Sequence, residues 1–216
     1  MKTCAIIPAY NEEEHIGKVV SETLAHVDAV LVVDDGSSDD TAFIARKADA
    51  IVITHKPNLG KGVSLRDGLD WAAANDFCAA VTLDADGQHL PGEIPRFLEA
   101  AADADMVVGN RMADVEFMPF VRLQTNRFMS WLVSRMARTH IPDTQCGFRL
   151  IKPAAWKKLE VQSRNFDFES EMLIAAGRAG MKITSVPITT IYGDEVSKIN
   201  PVKDTIRFAK MVWRLW

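Results

Sequence analysis

Residues 4–41 read CAIIPAYNEEEHIGKVVSETLAHVDAVLVVDDGSSDDT. Cys4-Ala5-Ile6-Ile7 is a short apolar run, the mark of a buried strand. Ile16, Val19, Val20, Leu24 and Val27 then recur at helical spacing, and Ala29–Val33 is apolar without a break. The stretch therefore predicts strand, helix, strand. Working outward, Asp39 or Asp40 is placed to cap a short helix running to Ala48, and Ala50–Thr54 is a third strand. A helix over 62–75 presents Leu65, Leu69 and Ala72; Cys78–Leu83 is a fourth strand, 94–102 a helix and Asp105–Gly109 a fifth strand. Such alternation predicts an α/β fold with a mostly parallel central sheet and helices on both faces. Beyond residue 111 the pattern is less regular. Helices are expected over 120–138, 168–179 and 202–216, with extended segments at 144–151 and 183–191.

Composition narrows the classes. The chain has 216 residues, 48% of them hydrophobic and 25% charged, which excludes disordered and fibrous architectures. A net charge of −4 gives no global basic field, so nucleic acid is not expected as a partner. Cys4, Cys78 and Cys146 form no close pair and no metal-ligand spacing, which fits a reducing compartment. The N-terminal apolar run gives way at once to Asn11 and three glutamates, unlike a signal peptide, and no span of eighteen uncharged apolar residues occurs.

On sheets of this kind ligands bind at the carboxyl ends of the strands, so the residues after each strand matter most. After the first come Pro8, Tyr10, Asn11 and Glu12: either a turn with a capping Asn, or a pocket with Tyr10 against a nucleobase and Glu12 accepting a hydrogen bond. After the second come Asp34-Asp35-Gly36-Ser37-Ser38-Asp39-Asp40. Capping accounts for one aspartate, and adjacent carboxylates repel unless a donor or cation compensates, so Asp35 is a candidate for ribose or base. After the fourth comes Asp84-Ala85-Asp86-Gly87-Gln88-His89, where carboxylates two apart suit a hard divalent cation. Gln88 adds a further oxygen, while His89 reads as a hydrogen-bonded loop residue. After the fifth comes Arg111, whose guanidinium suits a diphosphate. Gly60 and Gly62 read as the turn into a helix, with Lys61 a minor phosphate candidate; no P-loop motif occurs.

Six collinear segments together resemble the family 2 glycosyltransferases of the GT-A fold, and among them the polyprenyl-phosphate sugar transferases of the dolichyl-phosphate mannose synthase type. They are IIPAYNEEE (6–14), VVDDGSSDDT (32–41), LDADGQH (83–89), GNR (109–111), DTQCGFRLI (143–151) and YGDEVSKIN (192–200). The chain departs from the family where a GSRY run is usual and Gly109-Asn110-Arg111-Met112 stands, and where an Arg or His often precedes the late glycine but Thr190-Ile191-Tyr192-Gly193 stands. The resemblance implies a single domain over 1–216, with a nucleotide-sugar half (1–111) and an acceptor half (112–216). It implies that Pro8, Tyr10, Glu12, Val33 and Asp35 meet base and ribose. Asp84, Ala85, Asp86 and Gln88 would meet the diphosphate, with Mg2+ or Mn2+ on Asp84, Asp86 and Gln88. Arg111 and Arg122 would handle the diphosphate and an acceptor phosphate, Asp143 would stand near the acceptor as a base, and Ser197 and Lys198 would help close the site. The implied reaction is inverting transfer from a nucleotide-diphosphate sugar to a polyprenyl phosphate, with the protein cytoplasmic and peripheral at the inner face of the membrane. Transfer to a saccharide or other hydroxyl, a nucleotidyltransferase and a non-catalytic nucleotide-sugar binder are the rival readings. Two basic amphipathic helices fit a lipid surface as well as an ordinary domain face: Val202, Ile206, Ala209, Trp213 and Trp216 beside Lys203, Arg207, Lys210 and Arg214, and Phe128, Trp131, Leu132 and Met136 among Arg122, Arg127, Arg135 and Arg138.

Overall fold

A computed structural model describes residues 2–113, 118, 120–189, 191 and 201–216. The chain runs β1 (Thr3–Ala9), α1 (Ile16–Leu24), β2 (Ala29–Asp34), α2 (Thr41–Lys47), β3 (Ile51–Thr54), α3 (Lys61–Ala74), β4 (Ala79–Thr82), α4 (Ile94–Ala100) and β5 (Met106–Asn110). It continues through α5 (Phe120–Ala137), β6 (Arg149–Ile151), α6 (Pro153–Trp156), α7 (Asp167–Arg178), β7 (Ile183–Pro187) and α8 (Pro201–Leu215). The strands form a seven-stranded sheet in the order β3-β2-β1-β4-β6-β5-β7. All described pairs are parallel except those of β6, which lies antiparallel between β4 and β5.

This order creates the site. The chain winds outward from β1 to β3, then crosses back to β4 on the far side of β1. Right-handed crossovers in opposite directions put their helices on opposite faces, so α3 faces away from α1 and α2. A crevice opens where the winding reverses, between the carboxyl ends of β1 and β4. The central strands are buried on both faces, which is why they are apolar throughout: Val30–Val33 and Ile6–Ile7 have almost no exposed surface.

The first five strands and their helices lie where the periodicity places them. The second half departs from expectation twice. Only Arg149–Ile151 of the segment 144–151 is strand, because residues before it bend away to meet the site. The last strand stops at Pro187; beyond it the Ile188 amide donates to the Asn110 carbonyl and the Ile191 amide to that of Gln88. The Asp40 side chain makes no cap hydrogen bond to α2. Asp39 does that work instead, accepting from the Thr41 amide and hydroxyl.

Candidate active site

The loops after β1 and β2 interlock. The amides of Asn11, Glu12 and Glu13 donate to Ser37 Oγ, Thr41 Oγ1 and Asp39 Oδ2. In return the Ser38 and Asp40 amides donate to Asn11 Oδ1 and Glu13 Oε2. The polar density read from the sequence is thus largely the cement between two loops. It leaves Tyr10 as an exposed aromatic at the rim, 41% accessible, with Pro8 half-buried beneath the loop.

Asp35 is nearly sealed, at 4% exposure. Its Oδ1 accepts from His55 Nδ1 and the Leu59 amide, each at 2.8 Å, and its Oδ2 accepts from the Gly60 amide at 2.8 Å. It anchors the loop between β3 and α3. Gly60 takes φ +100°, and a Cβ there would meet Arg164 O at 2.6 Å, so only glycine lets this loop lie so close to the segment before α7. The next residue, Lys61, reaches Asp84 Oδ1 at 2.7 Å and Glu169 Oε2 at 3.2 Å.

The turn after β4 holds the densest electrostatics. Burial pushes the Asp84 carboxyl up, but Lys61 outweighs it, helped by His89 and Arg111, and holds Asp84 down at about 2. Burial likewise opposes the charge of Lys61, yet Asp84 and Glu169 keep its ammonium above the ordinary range. Burial lowers the His89 ring against the pull of Asp84 and Asp86. Its Nδ1 accepts from the Asp84 amide at 3.2 Å, and its ring lies 5.2 Å from that of Phe148. Asp86 Oδ1 accepts from the Gln88 amide, which tightens the turn. Gly147 closes the back wall: a Cβ there would stand 2.9 Å from Asp84 Oδ2.

Arg111 follows β5 and is buried against Asp143, which is fully buried. Nε meets Oδ2 at 2.7 Å and Nη2 meets Oδ1 at 3.0 Å, a bidentate pair. The Arg111 and Gln145 amides add two further donors to the same carboxylate at 3.1 Å. Asp143, expected as a base near the acceptor, thus takes four donors and has no exposed surface. Beneath it Arg149 is also buried, and donates to the carbonyls of Cys146, Glu169 and Thr144 at 2.8–2.9 Å. It braces the irregular chain from Thr144 to Phe148 and explains why that chain is not a strand.

Several expected residues are therefore gathered: Asp84, Asp86 and Arg111 all act on the charge of His89, Arg111 acts on Asp84 as well, and Gln88 belongs to the same turn. Val33 is not among them, since it is fully buried in β2 and presents no surface to a ligand. Ala85 is nearly buried in the turn, and Arg122 stands exposed on the first turn of α5. Ser197 and Lys198 lie outside the described residues. Lys61 does more than its minor place in the sequence suggests, and its position between two glycines at a strand-to-helix turn is the local signal for it. His55 stands just past β3, at a strand end like the other candidates. Glu169 and Arg149 carry no local signal.

The donor set suits a hard cation. The turn from Asp84 to Gln88 offers oxygen atoms, which magnesium and manganese prefer. Among the described residues no three His, Cys, Asp or Glu side chains form a closed cage.

On another face, α5 and α8 enclose an apolar groove of about 470 Å3 lined by Phe128, Leu132, Phe208, Val212, Trp213 and Trp216. Trp213 is 87% and Trp216 81% exposed, and Phe128 and Trp131 are more than half exposed. Met136, expected on this face, is buried in the core instead. Lys203, Arg207, Lys210, Arg127 and Arg135 are exposed in the same two helices. Arg214 ties α8 to the body through Glu171 at 2.6 Å. No helix among the described residues is long and apolar enough to cross a membrane.

Comparison with known proteins agrees with this geometry. The sequence model described as Glycosyl transferase family 2 matches residues 4–159. The chain is 34% identical over 212 residues to the UDP-N-acetylglucosamine–dolichyl-phosphate N-acetylglucosaminyltransferase of Methanococcus voltae, covering 87% of this chain and 84% of that protein. It is 30% identical over 203 residues to the polyprenol monophosphomannose synthase of Mycolicibacterium smegmatis, covering 87% and 77%. The solved glucosyl-3-phosphoglycerate synthase from Mycobacterium tuberculosis, in complex with Mn2+, uridine-diphosphate and phosphoglyceric acid, superposes with a TM-score of 0.73 at 19% identity, covering 99% of this chain and 76% of that one. The fold is GT-A.

Proposed function

The chain belongs to glycosyl transferase family 2 and is a glycosyltransferase, and from that premise we propose that it transfers a sugar, with inversion, from a nucleotide-diphosphate sugar to a polyprenyl phosphate. The observation that carries this is the gathering of Lys61, Asp84, Asp86 and Arg111 around His89 at the carboxyl end of the sheet. Residues 1–111 supply the donor half and 112–216 the acceptor half.

In this reading the base lies against Tyr10, with Pro8 and Glu12 beside it. Asp86 and Gln88, with Asp84, would hold Mg2+ or Mn2+, which would supply positive charge to the departing diphosphate. Arg111 adds a fixed positive charge where negative charge develops on the leaving group. Asp143 positions Arg111: a bidentate carboxylate fixes the plane of the guanidinium before substrate arrives, so little reorganisation is needed. Lys61 keeps Asp84 ionised and oriented. Arg122 meets the acceptor phosphate, and Ser197 and Lys198 close over the donor.

The locked state of Asp143 also favours a phosphate acceptor. A hydroxyl acceptor needs a base to take its proton, whereas a phosphate monoester already carries an anionic oxygen. The names of the relatives point the same way: one acts on dolichyl phosphate and another makes polyprenol monophosphomannose. The aromatic and basic face of α5 and α8 suits an anionic bilayer, where Trp settles at the interface and Lys and Arg meet headgroups. This makes the protein peripheral at the inner face of the cytoplasmic membrane.

The test is transfer of labelled sugar from UDP- and GDP-sugars to polyprenyl phosphate in the presence of Mg2+ or Mn2+. The wild type is expected to form a lipid-linked sugar, and Asp86→Ala is expected to lose metal-dependent transfer while unfolding at an unchanged temperature. Wild-type turnover by that variant overturns the metal assignment. Absence of a lipid-linked product, with transfer to a soluble acceptor, overturns the acceptor.

A further inference from the structure

We propose that His55 is a positioning residue of the donor site, acting as a charged strut between Asp35 and Asp67 that holds the loop delivering Lys61 to Asp84. The inference rests on the nucleotide-sugar reading of the crevice and adds to it a residue outside the crevice.

His55 is buried, at 7% exposure. Its Nδ1 lies 2.8 Å from Asp35 Oδ1 and its Nε2 lies 3.0 Å from Asp67 Oδ2. Both partners are carboxylates, which only accept when ionised. A neutral imidazole carries one N–H and would turn a lone pair toward one of them, so two such contacts call for a ring that donates from both nitrogens. The groups facing the ring are Asp35 from the end of β2 and Asp67 from α3. Arg46 of α2 reaches the neighbouring Thr54 hydroxyl. The backbone fixes the ring's root, since the His55 amide donates to the Asp34 carbonyl at 2.8 Å.

The strut matters because of what Asp35 holds. The same carboxylate receives the amides of Leu59 and Gly60. Gly60 precedes Lys61, whose ammonium clasps Asp84 and Glu169. A continuous chain of charge-assisted contacts therefore runs from Asp67 on the outer side of α3, through His55 and Asp35, to the diphosphate end of the crevice. Remove the imidazolium and Asp35 faces two backbone amides without its cation. Asp67, 41% exposed along its side chain, is then free to turn to solvent. The loop loosens at Leu59 and Gly60, and Lys61 loses its preset place. The step that suffers first is donor binding, because Lys61, at the end of this chain, orients the Asp84 carboxylate that meets the donor's diphosphate.

The experiment uses the full chain with His55→Gln and Asp67→Asn; the second alters only an accessible carboxylate and keeps its shape. Amide hydrogen exchange at Leu59 and Gly60 is measured without ligand. Steady-state kinetics follow with UDP-glucose, UDP-N-acetylglucosamine and GDP-mannose, using whichever the wild type turns over. Loss of one charge-assisted hydrogen bond predicts about tenfold faster exchange at both amides and about a tenfold rise in donor KM for His55→Gln, with kcat within about twofold. Asp67→Asn shifts both in the same direction by a smaller factor. Exchange at those amides unchanged in both variants overturns the strut, and so does a fall in kcat at constant KM. Failure of the wild type to turn over or bind any nucleotide sugar overturns the donor reading instead, and the exchange data still decide whether His55 holds the loop.

Discussion

Asp143→Asn separates two roles that the sequence alone leaves equal. The change keeps the size of the side chain but replaces one oxygen with an NH2 group and removes the charge. In the structure both oxygens are taken: Oδ2 by Arg111 Nε at 2.7 Å and the Arg111 amide at 3.1 Å, Oδ1 by Arg111 Nη2 at 3.0 Å and the Gln145 amide at 3.1 Å. Whichever way the amide turns, its NH2 faces donors, and the buried guanidinium is left without a counter-charge. Breaking a buried ion pair from one side costs about 3–5 kcal/mol. For a chain of this length that lowers the melting temperature by roughly 10 °C. Urea and thermal unfolding without ligand measure it directly, and turnover should fall with stability because Arg111 no longer holds its plane. If Asp143 were instead a base, the variant would lose turnover while its unfolding free energy stayed within about 1 kcal/mol of wild type, a surface-like effect. That result refutes the positioning role.

Three further outcomes are expected. Gly147→Ala places a methyl group 2.9 Å from Asp84 Oδ2 and so displaces that carboxylate; kcat/KM should fall at least about tenfold at a stability cost of about 1–3 kcal/mol, and undiminished activity would show that Asp84 need not sit where it does. Burial pushes the Glu171 carboxyl up, but hydrogen bonds from Ser163 and Gln162, with Arg214, hold it below its ordinary value. Its stabilising effect is therefore complete above the ordinary carboxylate range and lost as pH falls through the folded value; Glu171→Gln should cost about 1–3 kcal/mol at neutral pH, a gap that closes on acidification below about pH 4. Trp213→Ser with Trp216→Ser removes two rings that are 87% and 81% exposed, so stability should hold within about 0.5 kcal/mol, whereas co-sedimentation with anionic vesicles should drop sharply; undiminished sedimentation would remove these rings from the membrane face.

The order of elements could be read directly from residues 4–110 because burial imposes a local rule. A central parallel strand is apolar on both faces, and a helix beside it is apolar on one, so Ala29–Val33 and Ile16–Val27 announce themselves within a few residues. The rule that ligands meet strand carboxyl ends then picks out Tyr10, Asp84, Asp86 and Arg111. Pairings between distant residues have no such local signature. Nothing near Asp143 says that its partner is Arg111, thirty-two positions earlier. Nothing near Lys61 says that β4 will bring Asp84 beside it. The sheet order, with β6 reversed between β4 and β5, depends on contacts that form only when the chain closes on itself.

The amino-acid order, then, determined the layered α/β architecture and which carboxylates and cations are available, since periodicity and strand-end position act over a handful of residues. Tertiary structure alone decided which partners within the protein those charges meet, as with Asp35 and His55 or Asp143 and Arg111. The physical reason is that a buried charge must find its counter-charge wherever the fold supplies one, at any separation along the chain.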